Sequence, residues 1–300
     1  MSIKEKVIAL GFFDGVHLGH AALLRRTVEE AKRRGCTPAA FTFDRVPKEV
    51  VTGIPCPLIN SPDDRKDLLR RLYGIAEVIM VPFDDEMRTT AWDVFVTEIL
   101  VKRYHAVHLV AGHDHHFGHK NQGSPELLME KCAELGLGCD IIPKVDVAGI
   151  TVSSTYIRRL VELGQIDRAN RFLGHPHTLT GIVGHGRGIG SSRLFPTANI
   201  QLPPNVLVPS HGVYVTRVYL PDGTSYAAVT NVGTRPTVNN GADVTVEACL
   251  LDFEGDLYGK TLRLEFHSHL RQEVRFDSMD ALRAQIAADV ETTRAYFRNN

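Results

Sequence analysis

Two histidines three residues apart, His17 and His20, end a run punctuated by glycine: Gly11-Phe12-Phe13-Asp14-Gly15-Val16-His17-Leu18-Gly19-His20. Either imidazole offers a hydrogen bond to a phosphoryl oxygen that gains charge during transfer, and losing one such donor typically costs about 10²–10³ in rate. Gly11 and Gly15 let the backbone approach a ligand closely. The apolar residues 7–10 in front read as a buried strand, and Ala21, Ala22, Leu23, Leu24, Val28 and Ala31 behind have the spacing of a helix's inner face. Strand, glycine turn and helix N-terminus together suit a phosphate, because the unpaired N–H groups and the positive end of the helix dipole face the turn. A plainer reading of the same residues has Gly15 and Gly19 shaping a turn and one histidine capping it.

Other clusters carry chemistry as well. Residues 112–120, Gly-His-Asp-His-His-Phe-Gly-His-Lys, follow the apolar run 106–110 and so lie at a strand's carboxyl end, where open parallel sheets bind ligands. Histidine and aspartate are metal-ligand types, but this spacing matches neither a zinc finger nor HExxH. Ser153, Ser154 and Thr155 stand before Ile157, Leu160 and Val161 as the hydroxyl-capped start of a helix, and Arg158 adds a planar fork of donors suited to phosphate. In the second half, Gly184, Gly186, Gly188 and Gly190 form either a backbone that wraps phosphates or a flexible hairpin. Thr197 and Asn199, in Phe195-Pro196-Thr197-Ala198-Asn199, bring hard oxygen donors of the kind Mg²⁺ takes beside waters and substrate phosphates.

The elements that must position these groups differ between the halves. Strands at 37–43, 77–81, 106–110 and 139–142 alternate with helices at 62–72, 92–101 and 125–135, which predicts an α/β doubly wound parallel sheet with right-handed crossovers. After a further helix at 165–173, Gly174-His175-Pro176-His177 reads as a connector, so the domains are expected at 1–174 and 175–300. Period-two runs at 213–220, 226–231, 244–251 and 261–267 then predict an antiparallel β-barrel. A terminal helix at 278–297 has Leu282, Ile286, Ala287 and Val290 on one stripe.

Composition narrows the function classes. Three hundred residues at 43% hydrophobic are enough for the cores of two ordinary domains. A net charge of −1 gives no field for holding long nucleic acid. The first six residues lack the apolar core of a signal peptide, and no run approaches the roughly 18–20 apolar residues that cross a bilayer, so a cytoplasmic chain without a membrane partner is expected. Five scattered cysteines without a CxxC pair argue against a disulfide framework or a zinc knuckle and predict buried free thiols. Self-association into a weak homo-oligomer is left open.

The first motif resembles the HxGH nucleotidyltransferases, and within them the G-x-F-D-G-x-H-x-G-H form of bacterial FAD synthetases. The resemblance continues in G-x-N/D-F-x-F-G at 112–118, with Asp114 in the Asn/Asp position, and in S-S-T-x-I/V-R at 153–158. Farther on, the P-T-A-N motif at 196–199, Gly212-Val213-Tyr214, residues 231–237, Val246-Glu247 and Leu270-Arg271-Gln272-Glu273 are similar to riboflavin kinases. The chain is therefore identified as a member of the bifunctional riboflavin kinase/FAD synthetase family. That resemblance implies phosphorylation of riboflavin to FMN by ATP and Mg²⁺, then adenylylation of FMN to FAD with release of pyrophosphate. By the same match Gly11, Phe12, Asp14, Gly15 and Asp114 would bind nucleotide, and His17, His20 and Arg158 would stabilise the transferred charge. Ser154, Thr155 and Arg158 would hold the β- and γ-phosphates, Gly186, Gly188 and Gly190 the kinase's ATP, Thr197 and Asn199 its Mg²⁺, and Glu247 would be its general base. The chain departs from the family pattern at His115, Tyr156 and residues 191–194, and Arg45-Val46-Pro47 stands where a His-Pro pair is common. These departures keep two alternatives in play: only one half active, or a non-catalytic flavin-binding regulator.

Overall fold

The computed structural model describes residues 4–184, 197–236 and 242–299. By packing, the chain divides into one unit of Met1–Leu58 with Pro62–Ser154 and a second of Ile59–Ser61 with Thr155–Asn300.

Residues 7–10 are buried on both faces, as an unbroken apolar run in a central parallel strand requires. Along β1 (Lys6–Leu10) the alternation of side chains sends Ile8 and Leu10 into one core, with Phe41, Phe95, Leu100 and Leu109, and Val7 and Ala9 into another, with Leu24, Leu68 and Val110. The second core lies under α1 (Leu18–Arg34), which Gly35 ends at φ 71, and α3 (Pro62–Tyr73); the short α2 (Pro47–Thr52) precedes α3. β2 (Thr37–Phe43), β3 (Glu77–Val81), β4 (Ala106–Gly112) and β5 (Gly138–Ile142) complete a sheet of order β3-β2-β1-β4-β5 with every neighbouring pair parallel. The chain winds outward from β1, then returns to place β4 beside it. The carboxyl ends of β1 and β4 therefore flank the point where the winding reverses, the standard ligand crevice of open α/β sheets.

Several local features differ from the sequence expectation. The loop expected after β2 holds α2, which Pro47 opens and Gly53 closes at φ 68. The helix expected over 92–101 begins as α5 (Trp92–Val94), after the single-turn α4 (Asp85–Thr89), and continues as a π-helix over Phe95–Arg103. After α6 (Pro125–Glu134) and β5, a small hairpin of β6 (Asp146–Val147) and β7 (Ile150–Thr151) turns on Ala148 at φ 50 and Gly149 at φ 77, two left-handed residues without the usual Asn-Gly signature.

The second unit opens with α7 (Ser154–Glu162) and α8 (Ile166–Leu173), whose apolar stripes give Ile157, Leu160, Val161, Ala169, Phe172 and Leu173 full or nearly full burial. Gly174 caps α8 at φ 81, and β8 (His177–Gly184) starts three residues later, so the connector is shorter than expected and its last histidine is a strand residue. β9 (Ala198–Gln201), β10 (Gly212–Tyr219), β11 (Ser225–Pro236), β12 (Ala242–Leu250) and β13 (Thr261–Arg271) close an antiparallel barrel in the order β10-β11-β12-β9-β8-β13. α9 (Met279–Asn299) is fastened to it by Arg271, whose Nε and Nη2 donate to both oxygens of the buried Asp289 at 2.8–3.1 Å. All five cysteines are free, but Cys36, Cys56 and Cys139 are only half-buried; burial is complete for Cys132 and nearly so for Cys249. Among the described residues no helix is long and apolar enough to cross a membrane.

Candidate active sites

The turn after β1 is built under strain. Phe13 at φ 57, Gly15 at φ 81 and Val16 at φ 40 put three of four consecutive residues in the left-handed region, and for a β-branched residue that is a genuine outlier. His17 is the N-cap of α1, its Nδ1 accepting the backbone N–H of His20 at 3.3 Å. The plainer reading of His17 holds, since it caps the helix, and its ring stacks on that of His20 at 3.6 Å between centroids. Gly19 leaves room for this stack, since a Cβ there would lie 3.1 Å from the His17 ring, a tight contact. Burial, followed by the nearby His17 and the Arg65 cation, holds His20 well below the ordinary imidazole range, so it is neutral at neutral pH.

Two cavities meet at this turn. A polar cleft of ≈ 1060 Å³ is lined by Gly11, Phe12, His17, Gly19, His20, residues 112–116, Lys144 and residues 151–154. It gathers the expected Gly11, Phe12, His17, His20, Asp114 and Ser154 in one place. Asp14 and Gly15 are not on its wall: Asp14 is 1% exposed, and its backbone carbonyl accepts the Ser154 hydroxyl at 2.9 Å. That bond ties the third motif to the first. Beside the cleft is an apolar cavity of ≈ 800 Å³, walled by Phe12, Phe41, Phe43, Phe83, Phe95, Phe117 and Met87. Leu10, Gly11, Phe12, His115 and His116 line both. His115, standing where the family motif has an aromatic, does an aromatic's packing: its ring lies nearly parallel to that of Phe117, 5.5 Å away, and burial pulls its pKa down to about 4.

Thr155 and Arg158 follow Ser154 on α7 and are counted in the second unit. Arg158 is half-buried and Thr155 exposed. Tyr156 points back onto α8, edge-on to Phe172 at 4.9 Å, with its hydroxyl accepting from Arg168 at 2.9 Å.

On the barrel, strand register assembles the other group. Glu247 on β12 is directly opposite Asn199 on β9 and Asn231 on β11, and directly opposed residues point to the same face of a sheet. Their sequence neighbours Ala198, Ile200, Val246, Ala248 and Val232 are buried inside the barrel, so the row Asn199-Glu247-Asn231 faces outward. Asn231 Nδ2 donates to Glu273 Oε1 at 3.1 Å, which adds a second carboxylate to the row. Thr197, exposed, is two residues before Asn199 and lines a cavity of ≈ 870 Å³ with Val183, Phe253 and residues 254–258. Gly186, Gly188 and Gly190, with the departures at 191–194, lie outside the described residues.

A family model for FAD synthetase matches residues 1–156, and one for riboflavin kinase matches residues 173–297. The chain belongs to the bifunctional riboflavin kinase/FMN adenylyltransferase family. It is 36% identical to the protein of that name from Pseudomonas fluorescens over 96% of this chain and 92% of that one. The corresponding protein from Listeria monocytogenes is 33% identical over 98% and 93%, and that from Escherichia coli K12 is 34% identical over 97% and 92%. Among solved structures, a protein described as a macrolide-efflux protein from Streptococcus pneumoniae superposes with a TM-score of 0.85 at 30% identity, over 98% of this chain and 95% of that one. For a riboflavin kinase/FMN adenylyltransferase, the cavity walled by phenylalanines is the feature sequence reading missed. Lys144 on the cleft was missed as well, whereas Asn231 and Glu273 lie in motifs read from the sequence without a role given to either.

Proposed function

We propose that the barrel transfers the γ-phosphate of ATP to riboflavin, giving FMN, and that the first unit joins FMN to the AMP part of a second ATP. The observation that carries the second step is the shared wall of the two cavities. A flavin ring stacked among Phe12, Phe43 and Phe117 would send its phosphate past Gly11 and Phe12 into the polar cleft. There a phosphate oxygen of FMN attacks the α-phosphorus of ATP, the α–β bridging bond breaks, and pyrophosphate leaves. His17 and His20 donate hydrogen bonds to the oxygens that gain charge, and no covalent intermediate is needed. Gly11, Phe12, Asp14, Gly15 and Asp114 shape the nucleotide site. Ser154, Thr155 and Arg158 hold the departing phosphates, so we divide the chain functionally at residue 174, although α7 and α8 pack with the second unit.

In the kinase, Glu247 accepts the proton of the ribityl 5′-hydroxyl as its oxygen attacks the γ-phosphorus, the β–γ bridging bond breaks and ADP leaves. Gly186, Gly188 and Gly190 would wrap the phosphates of ATP. The hydroxyl oxygen of Thr197, just before β9, and the amide oxygen of Asn199, opposite Glu247 on that strand, suit Mg²⁺. The ion would neutralise phosphate charge there. The reading is completed by a cytoplasmic setting, small-molecule partners without nucleic acid or membrane, and at most weak self-association.

Incubation of the purified chain with riboflavin, ATP and Mg²⁺, followed by chromatography of riboflavin, FMN and FAD, tests it. Both products are expected in sequence. FMN without FAD would retire the first site, FAD made only from supplied FMN would retire the second, and tight flavin binding without product would favour a regulator.

A further inference from the structure

Arg65 is a charged residue in the wrong place for a surface helix. On α3, in the run Asp63-Asp64-Arg65-Lys66-Asp67, it has 0% exposure. Its Nη1 donates to the carbonyl oxygen of Phe12 at 2.7 Å, to that of Phe43 at 3.0 Å and to Thr42 Oγ1 at 3.1 Å. Thr42 Oγ1 itself donates to the Phe12 carbonyl at 2.8 Å, closing a triangle. The guanidinium carbon lies 4.3 Å from the centre of the Phe12 ring. Nε and Nη2 have no hydrogen-bond partner among the described residues.

As a stabilising device this is poor. A buried guanidinium pays a desolvation cost, two of its three nitrogens recover none of it, and a well-packed apolar side chain of similar volume often stabilises a fold at least as well. What an apolar side chain cannot do is hold two carbonyl groups. Phe12 follows the end of β1 and Phe43 is the end of β2, and the side chains of both wall the apolar cavity. Phe12 is also the residue before the left-handed Phe13, where the strained phosphate turn begins. The charge persists at neutral pH, since burial lowers the Arg65 pKa only to about 10 while Asp14 and Asp44 oppose the shift.

We propose that Arg65 is a positioning residue for FMN adenylylation, fastening the phosphate turn and the aromatic cavity to one another through the carbonyls of Phe12 and Phe43. It touches neither substrate; it sets the register between the wall that holds the flavin and the turn that receives the phosphate. The inference rests on the placement of flavin and nucleotide proposed above.

The test compares the full chain with Arg65→Met and Arg65→Lys, reading kcat and KM for FMN-to-FAD conversion, riboflavin phosphorylation in the same preparations, and thermal unfolding. For Arg65→Met the expected result is a fall in adenylylation kcat of about 10²-fold, the scale of a misplacement near 1 Å. KM for ATP should change far less, riboflavin phosphorylation should be unaffected, and the unfolding temperature should stay the same or rise. Arg65→Lys should recover part of the lost kcat, because an ammonium reaches one carbonyl but does not span both as a fork. An unchanged kcat in Arg65→Met would overturn the proposal, and so would a fall in kcat that tracks a lowered unfolding temperature, which marks a plain structural residue. If the parent chain makes no FAD from FMN, the functional reading itself fails and takes this inference with it, a result distinct from either of those.

Discussion

The rings of His17 and His20 lie face to face, 3.6 Å apart and 11° from parallel, with the His17 ring also capping the helix that carries His20. Two imidazolium ions would repel at that distance, and burial already disfavours a charge on His20. On the functional reading proposed above, His20 would meet a phosphate as a neutral donor stacked on the His17 ring, with little reorganisation left for the moment of transfer.

Replacing His20 by alanine should lower the rate of FMN-to-FAD conversion by about 10²–10³ while riboflavin phosphorylation continues at the parent rate. Separate assays of the two steps on one preparation check this.

Glu247→Gln should act in the opposite sense. Its carboxylate stands in a row with Asn199 and Asn231, and loss of a general base typically costs about 10²–10⁴, here in FMN formation only. Equal loss of both activities would argue against separate centres.

The aromatic cavity predicts a binding effect rather than a chemical one. Phe43 stands edge-on to Phe83 at 4.9 Å and to Phe41 at 5.6 Å. Phe43→Ala should raise KM for FMN by roughly tenfold, the scale of one lost aromatic contact, with KM for ATP little changed. Steady-state kinetics with each substrate varied in turn separates the two.

Acid should weaken the barrel through His177. This residue is 0% exposed, its ring 5.9 Å from that of Phe266, and burial pushes its pKa down to about 4. A folded pKa below the unfolded value means that the unfolded chain binds the proton first. Stability is thus intact above about pH 6.5 and declines as pH falls toward 4, by on the order of 3 kcal/mol for this group. Denaturant unfolding at neutral pH and near pH 4.5 should show the decline, and His177→Phe should flatten it.

Much of the first site was legible because it is local. Strand, turn and helix from Lys6 to Arg34 form one continuous piece of chain, and the glycines and histidines at its centre have short-range reasons for their spacing. The aromatic cavity was not legible. Phe12, Phe43, Phe83, Phe95 and Phe117 come from separate segments, and each alone reads as an ordinary core aromatic. Arg65 gave no signal at all, since a charged residue among charged residues on a helix reads as a solvated face.

Resemblance to riboflavin kinases singled out Thr197, Asn199 and Glu247; periodicity and punctuation determined the alternating first half, the strand-rich second half and the strand, turn and helix around His17 and His20. Those features depend on contacts within one or two turns of chain, or on which face of an element is apolar. Only the tertiary structure decided the order β3-β2-β1-β4-β5, the pairing that sets Glu247 between Asn199 and Asn231, and the wall shared by the apolar and polar cavities. A hydrophobic pattern states that a face must be buried but not against what. Partner and register are settled only when distant segments compete for the same core.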